Sequence, residues 1–212
     1  SHNRWMREKD WFDLYQTYGF PLEITAELFA QKGQKIDIRQ FESEFNDHRN
    51  LSRTAAKGMF KGGLQDQSEV TTKLHTATHL LQQALRAVLG IHVHQKGSNI
   101  TAERLRFDFS HPQKLTADEI KKVEELINKK IEENLAVSMK IMDLKEAIDK
   151  EALTVPDAKY PEKVKVYSVG KFSKEVCGGP HVNFTGSLGT FKIIKEDAAA
   201  SNVRRIYAVL TK

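Results

Sequence analysis

The run Ile91-His92-Val93-His94-Gln95-Lys96-Gly97-Ser98-Asn99-Ile100, followed by Arg104-Leu105-Arg106-Phe107-Asp108-Phe109, decides the fold. In the second stretch Leu105, Phe107 and Phe109 alternate with Arg104, Arg106 and Asp108. That two-residue period marks a strand with one buried face. The first stretch also reads as a strand, with His92 and His94 on a common face. Only a few residues separate the two, so the pair is hairpin-like, which argues against a strictly parallel sheet. Helices interleave. Residues 70–89 form a long one closed by Gly90. Thr116 and Glu119 form a capping box for a helix over 117–134, with Ile120, Val123, Ile127 and Ile131 as its apolar stripe. Strands at 137–142, 164–169, 190–194 and 203–210 complete the sheet, and Asp143 with Glu146 opens a short helix. The expected fold class is a two-layer α+β domain.

Upstream, the pattern is helical. Pro21 stands at a first helical position and Gly33 follows the end of that segment. Asp37 caps a second helix with Ile38, Phe41 and Phe45 on one side. Gly58-Met59-Phe60-Lys61-Gly62-Gly63 then breaks the periodicity. The expected organisation is a small helical segment over 1–58, a glycine-rich connector over 59–69, and the α+β domain over 70–212.

Composition narrows the class. With 212 residues, 40% hydrophobic, the chain can bury a core without disulfide staples. It has no apolar run of the roughly 20 residues that cross a bilayer, and no signal-peptide pattern at its start. Its single cysteine, Cys177, excludes an internal disulfide and suits a reducing, cytoplasmic setting. Residues 1–69 hold 10 basic and 11 acidic side chains, whereas 70–212 hold 23 and 17. The excess cation on the second part fits a polyanion such as RNA, and fits lysine-rich solvated helices as well.

Two motifs carry candidate chemistry. His75-Thr76-Ala77-Thr78-His79 places two imidazoles one helical turn apart on one face. Cys177-Gly178-Gly179-Pro180-His181 offers a thiol and a third imidazole in a glycine-bearing loop. Nitrogen and sulfur together suit zinc. Taken singly, a His pair at this spacing also occurs as surface or core histidine, and a lone cysteine as a small buried hydrophobe. A zinc-protease reading fails, because Thr76 stands where that chemistry needs a glutamate base. Four protein ligands would close a tetrahedral shell, the structural pattern, whereas catalysis needs an open position. Gln95-Lys96-Gly97-Ser98 offers a side-chain amide to a small polar ligand, and Arg204-Arg205 a basic pair to phosphate.

Taken in order, residues 71–81, 95–98, 104–111, 177–181 and 203–206 resemble the editing domain of the alanyl-tRNA synthetase family. Free-standing alanyl-tRNA editing proteins and the threonyl-tRNA synthetase editing domain are more distantly similar. Residues 14–23, Leu-Tyr-Gln-Thr-Tyr-Gly-Phe-Pro-Leu-Glu, resemble the end of that family's tRNA-recognition helices. The resemblance implies an internal piece of a synthetase without its aminoacylation domain. The implied activity is hydrolysis of mischarged Ser-tRNA(Ala) and Gly-tRNA(Ala). The implied partners are the tRNA(Ala) acceptor end and the rest of the synthetase chain, with no membrane. It also implies a zinc ion held by His75, His79, Cys177 and His181, and an aminoacyl pocket lined by Thr78 and Gln95, the candidate catalytic residues. Gly178, Gly179 and Arg205 are the further expected substrate contacts. The alternative is a tRNA-binding module with a structural zinc and no deacylase activity of its own. Two departures stand out: Pro180 replaces the threonine common in this loop, and the glycine-rich barrel that many members carry before the His helix is missing.

Overall fold

A serine hydroxyl starts the element that holds half of the candidate site. Ser68 accepts a hydrogen bond from the backbone N–H of Thr71 at 3.3 Å, capping helix α1, Glu69–Leu89. Gly90 ends it at φ 120°, donating its N–H to Arg86 O at 3.0 Å. A computed structural model describes residues 30, 33, 64–66, 68–156 and 158–211 of the chain. The upstream helices expected around Pro21 and Asp37 lie outside the described residues. The chain divides into units 1–58 and 59–212, and the elements from α1 onward belong to the second.

After α1 come β1 (Gln95–Ile100), β2 (Leu105–Ser110), α2 (Ala117–Glu132), β3 (Val137–Asp143), α3 (Leu144–Asp149), β4 (Lys163–Val169), β5 (Ser173–Val176), β6 (Thr190–Ala200) and β7 (Val203–Thr211). All strand pairs are antiparallel. They form two sheets, β1-β2-β7-β6 and β3-β4-β5. The α+β class stands. The single expected sheet is corrected to two, because among the described residues β4 pairs with β3 and β5 and not with the larger sheet.

The larger sheet lays Phe107, Phe109, Ile206 and Phe191 against Leu74, Leu81 and Leu85 of α1 and Val123 and Ile127 of α2, all buried. The capping box at Thr116 forms as the sequence predicts: Thr116 N–H donates to Glu119 Oε2 at 2.8 Å, and Glu119 N–H to Thr116 Oγ1 at 3.2 Å. Edge strand β6 is fastened by α2. Asn128 exchanges two hydrogen bonds with the backbone of Phe191, at 3.0 and 2.8 Å, which satisfies edge groups left open by the sheet. The smaller sheet has its own core, Ala147, Ala152, Val164, Val166 and Val176.

Three local expectations change. Residues 91–94 form a turn, not a strand, so His92 and His94 have no common strand face. Arg86 holds that turn, donating to Ile91 O at 2.8 Å and Val93 O at 2.7 Å. Strand β5 adds to the expected set, because Ser173-Lys174-Glu175-Val176 is too short to display a period. Leu64, expected within the connector, pairs with Ile100 and packs on the core.

The core and the cap differ in weight. Phe107→Ala removes a fully buried ring and should cost about 3–5 kcal/mol in urea unfolding, whereas Thr116→Ala, losing one cap, should cost about 1 kcal/mol.

Candidate metal centre

Helix α1 supplies the first two donors. His75 and His79 sit one turn apart and are nearly fully buried. The other two come from the loop after β5. Backbone pairing extends past the end of β5, with Cys177 N–H bonded to Lys165 O at 3.1 Å. This brings Cys177 and His181 onto the helix. One ligand atom from each of His75, His79, Cys177 and His181 lies within 4.8 Å of the others. The His75 and His181 rings stack with centroids 4.3 Å apart, and His79 meets His181 edge-on at 4.3 Å.

Hydrogen bonds on the far sides of the rings set their orientation. His75 Nδ1 lies 3.0 Å from Pro180 O. A carbonyl only accepts, so Nδ1 bears the proton and the Nε2 lone pair faces Cys177 Sγ, 3.3 Å away. Thr76 does the same for His181. Its hydroxyl donates to Thr72 O at 3.2 Å and accepts from Val182 N–H at 3.2 Å, so its oxygen takes the Nδ1–H of His181 at 3.1 Å. His181 Nε2 is then left buried without a hydrogen-bond partner, as is His79 Nδ1. Orphaned buried nitrogens are costly, and a cation held among these donors would satisfy them. A buried, neutral N/N/N/S donor set with fixed rear hydrogen bonds fits a zinc-like ion.

Burial dominates the electrostatics. It lowers His75 to about 4 and His181 to about 2, and holds His79 well below the usual histidine range, so all three imidazoles are neutral at neutral pH. Burial pushes the Cys177 thiol up to about 12, against the backbone N–H groups of Gly179 and Gly178, which favour the thiolate. Glu175 rises to about 8 through burial, against the Ser173 hydroxyl that hydrogen-bonds it. Its Oε2 is 3.6 Å from His79 Nε2, and with both groups neutral this is a polar contact rather than an ion pair.

Beside the donors lies a cavity of about 10 Å³, near the room one water needs. Thr78, Gln82, Gln95, Ser98 and Glu175 contribute its polar wall, and residues 153–155 close it. Thr78 and Gln95 therefore stand at the cavity. Gly178, Gly179 and Arg205 do not line it. Gly179 packs on His75 instead, and Arg205 pairs with Asp108 at 2.6 Å. The sequence reading missed Gln82, Thr76 and Glu175 as site residues. Gln82 continues the 75, 78, 79 face of the helix, a spacing that was available to find it. Glu175 shares a strand face with Cys177, but only a recognised β5 would reveal that. Pro180 acts through its carbonyl, which any residue supplies, so the departure from threonine leaves the bond to His75 intact.

The site admits sharp tests. A Cβ at Gly179 would clash with Cε1 and Nδ1 of His75, so Gly179→Ala should displace the ring, lower the melting temperature and weaken divalent-metal binding. Thr76→Val removes the partner of His181 and should weaken metal binding about 10- to 100-fold, as measured by competition with a chelator dye, while Thr76→Ser retains it.

Known proteins place this geometry in context. Residues 1–108 match the family model of class II (A) tRNA synthetases. Residues 164–207, which include Cys177 and His181, match the threonyl and alanyl tRNA synthetase second additional domain. The chain is 56% identical over 199 residues to an alanine–tRNA ligase of Treponema denticola, covering 94% of this chain and 33% of the relative. It is 55% identical over 201 residues to that of Treponema pallidum, covering 95% and 33%. To that of Borrelia hermsii it is 56% identical over 199 residues, covering 94% and 34%. It thus spans about a third of the length of these curated relatives. No helix among the described residues is long and apolar enough to cross a membrane. On the match to half of its length and on these relatives, the chain belongs to the alanyl-tRNA synthetase family of class II tRNA synthetases.

Proposed function

We propose that this chain carries the editing reaction of an alanine–tRNA ligase, hydrolysing the ester of Ser-tRNA(Ala) and Gly-tRNA(Ala). Residues 70–212 are the deacylase domain, zinc is the resident metal, the acceptor end of tRNA(Ala) is the partner, and the setting is the cytoplasm. The observation that supports this is the convergence of four donors, three on buried residues and one on the half-buried His181, within 4.8 Å beside a small polar cavity.

An aminoacyl ester is already labile, so positioning one water supplies much of what is needed. When bound, zinc supplies positive charge that can polarise a carbonyl or acidify water. The protein's own groups do the sorting. Thr78 Oγ1 gives its proton to Leu74 O at 2.9 Å, which leaves only acceptor capacity towards a substrate. Gln95 gives an N–H to Ser98 Oγ at 3.2 Å, which fixes its amide. A seryl hydroxyl can donate to these fixed acceptors, and an alanyl methyl cannot. Size alone separates such substrates by only about 1–3 kcal/mol, whereas polar groups left unpaired by the wrong substrate discriminate further.

A second reading draws on the same donors. Four protein ligands complete a tetrahedral shell, which is the structural pattern. On that reading the chain binds tRNA and its metal only braces the loop.

Adding the chain to Ser-tRNA(Ala) should shorten the ester half-life and leave Ala-tRNA(Ala) nearly untouched. His79→Ala and Cys177→Ala should lose about 100-fold or more of that rate, as should exhaustive chelation, with zinc restoring it. An unchanged half-life together with salt-sensitive tRNA binding would select the second reading.

A further inference from the structure

The four-stranded sheet has two faces, and the candidate centre uses one. Phe107 and Ile206 point into the core. Their neighbours Arg106, Asp108, Arg205 and Tyr207 stand on the opposite face, where the register sets Asp108 against Arg205 and Arg106 against Tyr207. Arg205 grips Asp108 with a two-point fork, Nε to Oδ1 at 2.6 Å and Nη2 to Oδ2 at 2.8 Å. That fork commits the carboxylate. Arg106 Nε stays 3.7 Å from the same Oδ1, beyond hydrogen-bonding distance, and is buried with no hydrogen-bond partner.

More positive charge surrounds it. The Arg104 guanidinium lies 5.4 Å from the centre of the Tyr207 ring, and Lys195 Nζ lies 5.9 Å from it. Lys195 pairs with Asp197 at 2.8 Å and remains about half exposed. Three guanidiniums and an ammonium thus meet two carboxylates. Burial makes the Arg106 cation less favourable; Asp108 opposes that, and Arg205 and Arg104 add to it. An anion meeting the accessible part of the Arg106 side chain, which is 27% exposed, would offset the repulsion from Arg205 and Arg104. Guanidinium forks match phosphate oxygens, and an aromatic ring among cations suits nucleic acid more than a carboxylate-bearing peptide.

We propose that this outer sheet face binds the phosphate backbone of RNA, with Arg106 as the principal phosphate contact. The inference rests on the reading of the chain as one that acts on tRNA. The face is turned away from the cavity, so its contact sets affinity rather than chemistry. Phosphate contacts carry no base information, so different tRNAs should respond alike.

The test is tRNA binding by the whole chain across a series of salt concentrations, read by fluorescence anisotropy. Arg106→Ala should weaken binding roughly five- to tenfold near 0.1 M salt and lower the slope of log affinity against log salt by about one. Lys195→Glu, at an exposed position, should change affinity in the same direction if Arg106→Ala misfolds. The proposal is overturned if wild type fails to bind tRNA, or if folded variants keep its affinity and slope, as they would were the face a seat for another protein segment. Hydrolysis of 3′-seryl-adenosine by wild type, a substrate with no phosphate backbone, reports separately on the deacylase reading. Loss there with an intact Arg106 effect sinks that reading and leaves this one standing.

Discussion

Three imidazoles and a thiol, buried against one another between a helix and a loop, are the constraint around which this domain is organised. Such a cluster has no apolar justification. It removes polar groups from water and leaves two ring nitrogens without partners. The protein stabilises it with hydrogen bonds placed behind the rings, from His75 to the Pro180 carbonyl and from His181 to the Thr76 hydroxyl oxygen. Each such bond consumes the outward nitrogen and turns the other lone pair inward. Burial then keeps the rings unprotonated, which is the state a metal ligand needs.

That arrangement depends on close approach. Gly179 lies flat on His75, where no larger residue fits. The neighbouring N–H groups point to the Cys177 sulfur and favour its thiolate. The loop is therefore a backbone device as much as a pair of ligands. Its position follows from β5, whose pairing with β4 and bridge to Leu153 deliver Cys177 to the helix. The larger sheet contributes from its other end: the first residue of β1 is Gln95, which brings its amide to the cavity.

Polar placement on the sheet follows the same economy. The inward Leu105, Phe107, Phe109, Ile206 and Ala208 are buried in the core with the helices. On the opposite face stand Arg106, Asp108, Arg205 and Tyr207, and the register couples Asp108 to Arg205. Arg205 was expected at the substrate, yet a buried carboxylate directly across the strand is a stronger partner than a distant phosphate. Its commitment leaves Arg106 as the cation without a matched acceptor.

Local patterns in the sequence were sufficient for α1, β2, the capping box at Thr116 and the α+β class, because each rests on contacts between residues near in sequence. The helical spacing of His75 and His79, and the glycines beside Cys177, also announced two half-sites. What the chain could not announce by itself was set by long-range packing. The split into two sheets, the short strand β5, the buried Glu175 and the roles of Thr76 and Pro180 all arise from partners up to 106 residues apart. Periodicity is a local signal, and a four-residue strand such as β5 has too little of it. Which side chain faces a neighbour a hundred residues away is decided only when the sheets close around the helix.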